Sequence, residues 1–190
     1  KICFSFNSIM AIKLKKYKLE DITEIVFTGG TPSTSNPEYW NGNLKWLSSG
    51  ETGKRFIRDT EKKITELGVK QSSTRLASIG DIVIASAGQG HTRGQTAYCM
   101  VDTYVNQSVL VIRAKKKLAN PKYLFYNLIN RYDDLRQLSD AHSVRGSLTT
   151  KLIRELSIDL PDYKTQEFVA NLLSCIDEKI EHNLQMNQTL

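Results

Sequence analysis

The sequence predicts an α+β fold, in which a curved, mostly antiparallel sheet with flanking helices is followed by one long C-terminal helix. Three observations lead to this prediction. Residues 81–85, 96–101 and 104–113 are rich in β-branched and aromatic side chains and are bounded by polar or glycine-containing loops, as strands usually are. Residues 123–138 carry apolar side chains at helical spacing. Residues 164–190 contain neither proline nor glycine, which favours one uninterrupted helix.

Short elements are predicted for the first part of the chain. Residues 19–26 place apolar side chains at helical spacing and predict a short amphipathic helix, which a glycine pair then ends. Residues 44–47 predict a short strand. Residues 59–67 have helical character, and Gly68 is expected to stop that helix at its C-terminus.

The middle of the chain contains the clearest helix start. Asn120 is a suitable N-cap and Pro121 suits the first helical position, so the helix over 123–138 is expected to begin there. A polar turn then leads to a short helix and a strand over 156–160, which Pro161 ends.

The C-terminal segment carries a heptad pattern. Four heptads give a mostly apolar seam, and a helix of this length would extend for about 40 Å, so the pattern predicts a coiled-coil partner. The alternative is an amphipathic helix that lies back on its own domain. The predicted domains are therefore an N-terminal extension (1–12), a globular domain (13–162) and a spacer or dimerisation helix (163–190). The interface positions of the seam are Val169, Leu173, Ile176, Ile180, Asn183 and Asn187, with Gln166 and Leu190 at its two ends.

Composition and charge indicate a globular protein with two kinds of partner. Hydrophobic residues make up 40% of the chain and the formal net charge is +6. From Tyr163 onward, two lysines face four carboxylates, so this acidic tail follows a basic body. Three widely spaced cysteines support neither a disulfide framework nor a zinc site. With no export signal and no apolar run of about 20 residues, we expect a cytoplasmic protein without a membrane partner.

Catalytic and metal-binding motifs are lacking in the sequence. The glycines near residue 88 lack the spacing of a nucleotide-binding loop, and the three histidines form no metal-ligand pair. A nuclease site could be assembled from the charged residues 51–63, as from most charged stretches. We therefore expect no catalytic residue, no metal site and no cofactor bound by this chain.

Polar loops provide candidate DNA contacts instead. Arginine, glutamine and other amide or hydroxyl side chains can read base edges, whereas clustered cations bind phosphates without reading sequence. For any single position, a solvated loop side chain is the simpler interpretation, and the prediction depends on the whole set. The candidate base contacts are Gln89, His91, Arg93, Gln95, Ser143 and Arg145, and the candidate phosphate contacts are Lys54, Arg55 and Arg58.

The order of these motifs resembles the target recognition domain of type I restriction–modification specificity subunits. The resemblance runs from about Lys15 to the last residue, and five blocks in the expected order carry it although no single block is decisive. The blocks are GGTPS (29–33) with EYW (38–40) and LKWL (44–47), DIVI (81–84), TRG (92–94), VNQS (105–108), and LSIDLP (156–161) leading into CIDEKI (175–180).

The resemblance implies a non-catalytic subunit. Its globular domain would read one half of a split site in double-stranded DNA, while its helix sets the spacing and docks a DNA adenine methyltransferase subunit. A restriction and translocase subunit would be an indirect partner, and S-adenosylmethionine, Mg and ATP would be bound only by the partner subunits. Residues expected to shape the site rather than read bases are Gly29, Gly30, Thr31, Pro32, Ser33 and Trp46.

One departure from the family concerns the number of recognition domains. Full subunits have two recognition domains and two helices, whereas this sequence contains one of each. A natural half-subunit, a disrupted gene and a truncated form all stay open. Two copies pairing antiparallel would restore two DNA readers, so we expect a homodimer. The alternatives are the specificity domain of a fused restriction–methylation enzyme, or a coiled-coil interaction module that does not bind DNA.

Overall fold

The computed structural model describes residues 12–88, 90–142 and 146–188. All but the last residue of the expected N-terminal extension (1–12) lies outside this range. The candidate base contacts Gln89, Ser143 and Arg145 also lie outside the described residues.

Eleven strands and five α-helices are assigned within the described residues. The strands are β1 (Lys15–Lys18), β2 (Thr23–Thr28), β3 (Trp40–Leu47), β4 (Phe56–Ile57), β5 (Lys62–Ile64), β6 (Arg75–Ala77), β7 (Ile82–Ala85), β8 (Thr96–Cys99), β9 (Thr103–Val105), β10 (Val109–Ala114) and β11 (Ser157–Leu160). The helices are α1 (Glu66–Lys70), α2 (Pro121–Ile129), α3 (Tyr132–His142), α4 (Thr150–Glu155) and α5 (Tyr163–Gln188).

The strands form three sheets rather than one. A five-stranded sheet has the order β2-β10-β7-β8-β4, a four-stranded sheet has the order β5-β3-β9-β6, and β1 pairs with β11. Two of the described pairings, β3 with β9 and β4 with β8, are parallel, and the others are antiparallel. The predicted α+β class, the mostly antiparallel pairing and the long terminal helix are therefore confirmed.

The five-stranded sheet is buried on both faces. Along a strand, successive side chains point to opposite faces. Ile82 and Ile84 of β7 accordingly pack with Phe125 and Leu128 of α2 on one face. Val83, between them, packs on the other face with apolar residues of β3, β9 and β10. The core therefore has a helical layer on one side of the central sheet and the four-stranded sheet on the other.

Helix α2 begins as the sequence predicts. The side chain of Asn120 accepts a hydrogen bond from Tyr123 N (3.1 Å), and Pro121 occupies the first turn. The single helix predicted over 123–138 is wrong, because α2 ends at Ile129 and α3 starts at Tyr132. Arg131 N donates three residues back, to Leu128 O, and this tighter turn changes the chain direction.

Two further helix predictions are corrected. Residues 19–26 form one 3-10 turn (Leu19–Ile22) and then β2, because the β-branched residues that follow pair with β10. Residues 59–67 contain β5 before α1 starts at Glu66. Gly68 lies inside α1, which continues to Lys70, so it does not end the helix. Its amide donates to the N-cap Thr65 Oγ1 (3.1 Å), and a Cβ added at Gly68 would lie 2.6 Å from Tyr39 O.

Helix α5 packs on the body along its first half. Gln166 is buried, and its Nε2 donates to Leu118 O (3.1 Å) and Pro161 O (3.0 Å) while its Oε1 accepts from Asn120 N (2.9 Å). Placing Gln166 in a partner-binding seam was therefore wrong, since these three backbone groups already satisfy its hydrogen-bonding groups.

Among the described residues, no helix is long and apolar enough to cross a membrane.

Candidate nucleic-acid interface

The loop between β7 and β8, residues 86–95, is closed at its base by backbone hydrogen bonds. Ala85 N donates to Gln95 O (2.9 Å), and Gly94 N donates to Ala85 O (2.9 Å). Gln95 N also donates to Thr92 O (3.0 Å). The first two bonds extend the β7–β8 pairing past the start of β8, and together the three bonds close the loop at its base.

Helix α3 supports the same loop from outside. Tyr132 Oη donates to His91 O (2.7 Å), and the Arg136 guanidinium donates to Gly90 O. Arg136 Nη1 also donates to Tyr132 Oη (3.0 Å), so the two side chains act together. Sequence reasoning missed both, because they lie about forty residues from the loop and form part of an ordinary amphipathic pattern.

His91 and Gln95 line a concave surface with a volume of about 410 Å³. His91 is exposed and Gln95 is half-buried. Imidazole and amide groups both offer donors and acceptors, so this surface can hydrogen-bond to base edges. Its other walls are formed by Thr52, Gly53, Arg55, Ile129 and Tyr132, among others.

Arg93, the third loop residue predicted to contact bases, points into the protein. Its Nη1 donates to Gly146 O (2.8 Å) and its Nη2 lies 2.5 Å from Asp140 Oδ1. The residue is only 9% exposed. The structure therefore separates Arg93 from His91 and Gln95, whose side chains reach the concave surface.

The three candidate phosphate contacts already have carboxylate partners. Lys54 Nζ lies 3.3 Å from Glu51 Oε2, and 3.4 Å from Glu61 Oε1. Burial lowers the pKa of Lys54, but the hydrogen bonds and charges of these carboxylates outweigh it and leave the pKa raised. The other two cations bind α5, with Arg55 Nε 3.2 Å from Asp177 and Arg58 Nη2 2.5 Å from Glu181. Each cation remains about half exposed, so its charge still faces solvent.

The predicted site-shaping segment 29–33 packs against the turn between β9 and β10. Gly29 N donates to Asn106 O (3.2 Å) and Gly30 N to Val105 O (3.1 Å). A Cβ on Gly29 would lie 2.0 Å from Val105 O, so the close approach of these backbones requires glycine. Trp46 Nε1 donates to Gly30 O (3.3 Å), and Thr31 Oγ1 to Gln107 Oε1 (2.6 Å).

This packing connects indirectly with the 86–95 loop. Ser108, the last residue of the same turn, accepts a hydrogen bond at its carbonyl from Ser86 N (2.8 Å). The segment 29–33 therefore packs against the β9–β10 turn, and that turn contacts the start of the 86–95 loop. None of its hydrogen bonds reaches His91 or Gln95 directly.

The predicted helix interface divides into two parts. Val169 and Leu173 line a groove of about 660 Å³ between α5 and α2. Ile176 and Ile180 are each 50% exposed, and Asn183 and Asn187 are exposed. The exposed apolar line on α5 also includes residues that the heptad analysis omitted, namely Phe168, Leu172 and Leu184.

Tyr126 connects the groove with α5. Its Oη donates to Asp177 Oδ2 (2.7 Å). Burial, together with the nearby Asp177 carboxylate, raises the pKa of Tyr126 to about 12.

Across the described part of the chain, no group of three or more His, Cys, Asp or Glu side chains is placed to hold a metal ion.

Three solved structures share this fold. The chain superposes with a TM-score of 0.66 on the HsdS subunit of Thermoanaerobacter tengcongensis, at 15% identity, covering 94% of this chain and 41% of that one. The type I S subunit of M. genitalium gives a TM-score of 0.66 at 16% identity, with 91% and 41% covered. A chain from a structure of type I R-M complex assembly gives 0.67 at 18% identity, with 94% and 42% covered.

Three curated proteins are similar in sequence, and this chain spans 40% or less of each. The MjaIX specificity subunit of Methanocaldococcus jannaschii is 29% identical over 180 residues, which cover 91% of this chain and 40% of that protein. The HindI specificity subunit of Haemophilus influenzae is 30% identical over 153 residues (78% and 33%). The EcoR124I/EcoR124II specificity subunit of Escherichia coli is 26% identical over 154 residues (80% and 38%).

A family profile also matches nearly the whole chain. It covers residues 12–190, which include the 86–95 loop, the segment 29–33 and the whole of α5. The chain therefore belongs to the type I restriction modification DNA specificity domain family.

Proposed function

We propose that this chain is a DNA-recognition unit of a type I restriction–modification system, reads one half of a bipartite site and has no catalytic activity of its own. The observation that carries the proposal is the concave surface beside the 86–95 loop. There, His91 and Gln95 belong to a loop that is closed at its base by backbone hydrogen bonds and held at Gly90 and His91 by Arg136 and Tyr132. The half-exposed Arg55 lines the same surface. A rigid loop carrying polar side chains beside a cation is what combined base reading and phosphate binding requires.

Different residues serve the two parts of this function. His91 and Gln95 contact base edges, together with Gln89, Ser143 and Arg145. Lys54, Arg55 and Arg58 contact phosphates and supply affinity that does not depend on sequence. The chain binds no cofactor itself, and S-adenosylmethionine, Mg and ATP belong to partner subunits, among them an adenine methyltransferase and a translocase.

The proposed partner arrangement uses α5. Its exposed apolar line leaves Ile176 and Ile180 half uncovered, and burying such side chains against a second helix is favourable by about 1.5–3 kcal/mol for each fully buried residue. A second copy, pairing antiparallel along this line, would place a second recognition unit at a distance comparable to one turn of DNA, about 34–36 Å. Asn183 and Asn187 would then restrict the register.

Binding selection with randomised duplexes tests the main proposal. The chain, with its modification subunit, is incubated with the duplex pool at two salt concentrations, and the bound DNA is sequenced. We expect one enriched split motif and an affinity that falls steeply with salt. A coiled-coil module without DNA function would enrich no motif, and that result would overturn the proposal.

A further inference from the structure

The Arg93 side chain joins two segments that are far apart in sequence. It starts in the 86–95 loop and reaches Asp140 near the C-terminus of α3 through Nη2, and Gly146 O through Nη1. The guanidinium is planar with fixed donor directions, which suits it to holding two acceptors at once. Leu148 N donates to Ser86 O (2.8 Å) and makes a second connection between the same two segments.

Gly146 is shaped to accept this side chain. Its φ of +55° lies in the left-handed region, and a Cβ there would lie 1.7 Å from Arg93 Nη1. Any other residue at 146 would displace the guanidinium. The contact therefore depends on the charge of Arg93 and on the absence of a side chain at Gly146.

The burial of Arg93 has an energetic cost. Its Nε is buried and has no hydrogen-bond partner among the described residues, and a buried unpaired donor is unfavourable. A surface arginine that reads DNA would have no need of this arrangement. A fixed arginine that sets the position of a loop would need it, because its two bonds connect the loop to Asp140 of α3 and to Gly146 beyond the end of that helix.

We propose that Arg93 is a positioning residue, which sets the sequence preference of His91 and Gln95 by holding the 86–95 loop against Asp140 and Gly146 without contacting DNA itself. This inference rests on the proposed DNA-reading function. Part of the sequence specificity then depends on a contact among Arg93, Asp140 and Gly146 that lies behind the surface facing DNA.

The test is a base-preference profile of the chain with its modification subunit. Affinities are measured for the selected motif and for each single-base variant of it, at two salt concentrations, with wild type, R93K and G146A. We expect both substitutions to reduce discrimination at all the base pairs read by the loop together, by about tenfold at the best-read position. The salt slope should stay unchanged, because no phosphate contact is lost.

Two other results would overturn the inference. If Arg93 reads a base directly, R93K relaxes preference at one base pair only. An added variant, R93Q, removes the charge that R93K keeps: if Arg93 binds a phosphate, R93Q lowers affinity equally for all sequences and reduces the salt slope by about 1. A wild-type profile with no preference at all would instead overturn the proposed function, so the two failures can be told apart.

A matched control and a milder variant separate positioning from stability. Arg113 makes a similar contact, with Nη2 2.7 Å from Asp81 Oδ2 and 3.0 Å from Ser78 Oγ. Asp81 precedes β7 whereas the loop follows it, so R113K should lower stability and leave base preference intact.

D140N keeps the shape of Asp140 without its charge and should give the R93K profile in weaker form. Hydrogen exchange in the 86–95 loop should speed up in R93K and D140N but not in R113K, and unchanged exchange in R93K would contradict the proposal.

Discussion

Arg55 Nε lies 3.2 Å from Asp177 Oδ2, so a candidate phosphate contact also anchors the C-terminal helix. The same carboxylate oxygen accepts a hydrogen bond from Tyr126 Oη (2.7 Å). The Asp177 side chain is only 10% exposed, whereas that of Arg55 is 48% exposed. The Arg55 side chain therefore lies between α5 and the concave surface. Its single positive charge can pair with Asp177 or with a DNA phosphate, so the two interactions compete.

Substituting Asp177 should change stability and DNA affinity in opposite directions. D177N removes the charge partner of Arg55 and weakens the bond from Tyr126, and we expect the free energy of unfolding to fall by about 1–2 kcal/mol. DNA affinity at low salt should rise, because Arg55 is released toward phosphates and one negative charge is lost. Urea unfolding and fluorescence anisotropy measure the two effects.

The control for this substitution is E181Q. Its partner Arg58 is about half exposed, so the loss of stability should be below about 1 kcal/mol. Equal losses in D177N and E181Q would show that the Asp177 contacts are no stronger than a surface ion pair.

Removing Lys54 tests the phosphate role of the cation cluster. In K54A we expect affinity to fall for all DNA sequences alike and the salt slope of binding to decrease by about 1. K116A removes the same charge from an exposed turn after β10, at the end of that strand remote from Ser108 and the 86–95 loop. If both variants lose the same affinity, Lys54 acts through overall charge and not through a local contact.

Local signals in the sequence were sufficient for part of the fold. The Asn120 cap and Pro121 lie within three residues of the amide they serve, so the start of α2 could be predicted. Strand β2 could not, because its partner β10 lies more than eighty residues away and apolar spacing over eight residues fits a helix equally well. Gln166 was misplaced for the same reason, since two of its three backbone partners precede it by more than forty residues.

The candidate site, like the fold, could be predicted only where local sequence carries the signal. Loop composition identified His91 and Gln95 as candidate base contacts, and both residues line the concave surface. It could not show that Arg93 turns inward, because Asp140 and Gly146 are 47 and 53 residues away. Residue type shows which side chains are able to read DNA, and long-range packing decides which of them face it.

Alkaline pH should destabilise the protein through its buried tyrosines. Burial raises the pKa of Tyr98 and Tyr123, and raises that of Tyr126 to about 12, above the ordinary value of 10.0. Between pH 10 and 12 the unfolded chain has lost tyrosine protons that the folded chain still holds, so the stabilisation that these tyrosines provide is fully present below pH 10 and is lost as pH rises. Tyr126 alone should contribute a slope of up to about 1.4 kcal/mol per pH unit.

The variant Y126F separates this contribution. It removes the titrating group, so the fall in stability above pH 10 should be shallower than in wild type, although stability at neutral pH is lower because the bond to Asp177 is lost. Urea unfolding between pH 8 and 11.5 gives the comparison. An unchanged alkaline slope in Y126F would assign the effect to other groups.

The exposed apolar line on α5 should carry self-association. Ile176 is half exposed, and in a symmetric pair both copies would lose its burial, so I176E should weaken dimerisation by at least about tenfold. Asn171 is also exposed on α5 but lies on another side of the helix, and N171E adds the same charge there as a control. Sedimentation across a micromolar concentration series should then show dimers for wild type and N171E, and monomers for I176E. Because Ile176 is half exposed and is not one of the buried core residues, all three proteins should unfold at the same urea concentration when compared as monomers. A wild-type chain that stays monomeric at high micromolar concentration, with and without DNA, would leave the second recognition unit to come from another chain or from a longer form of this one.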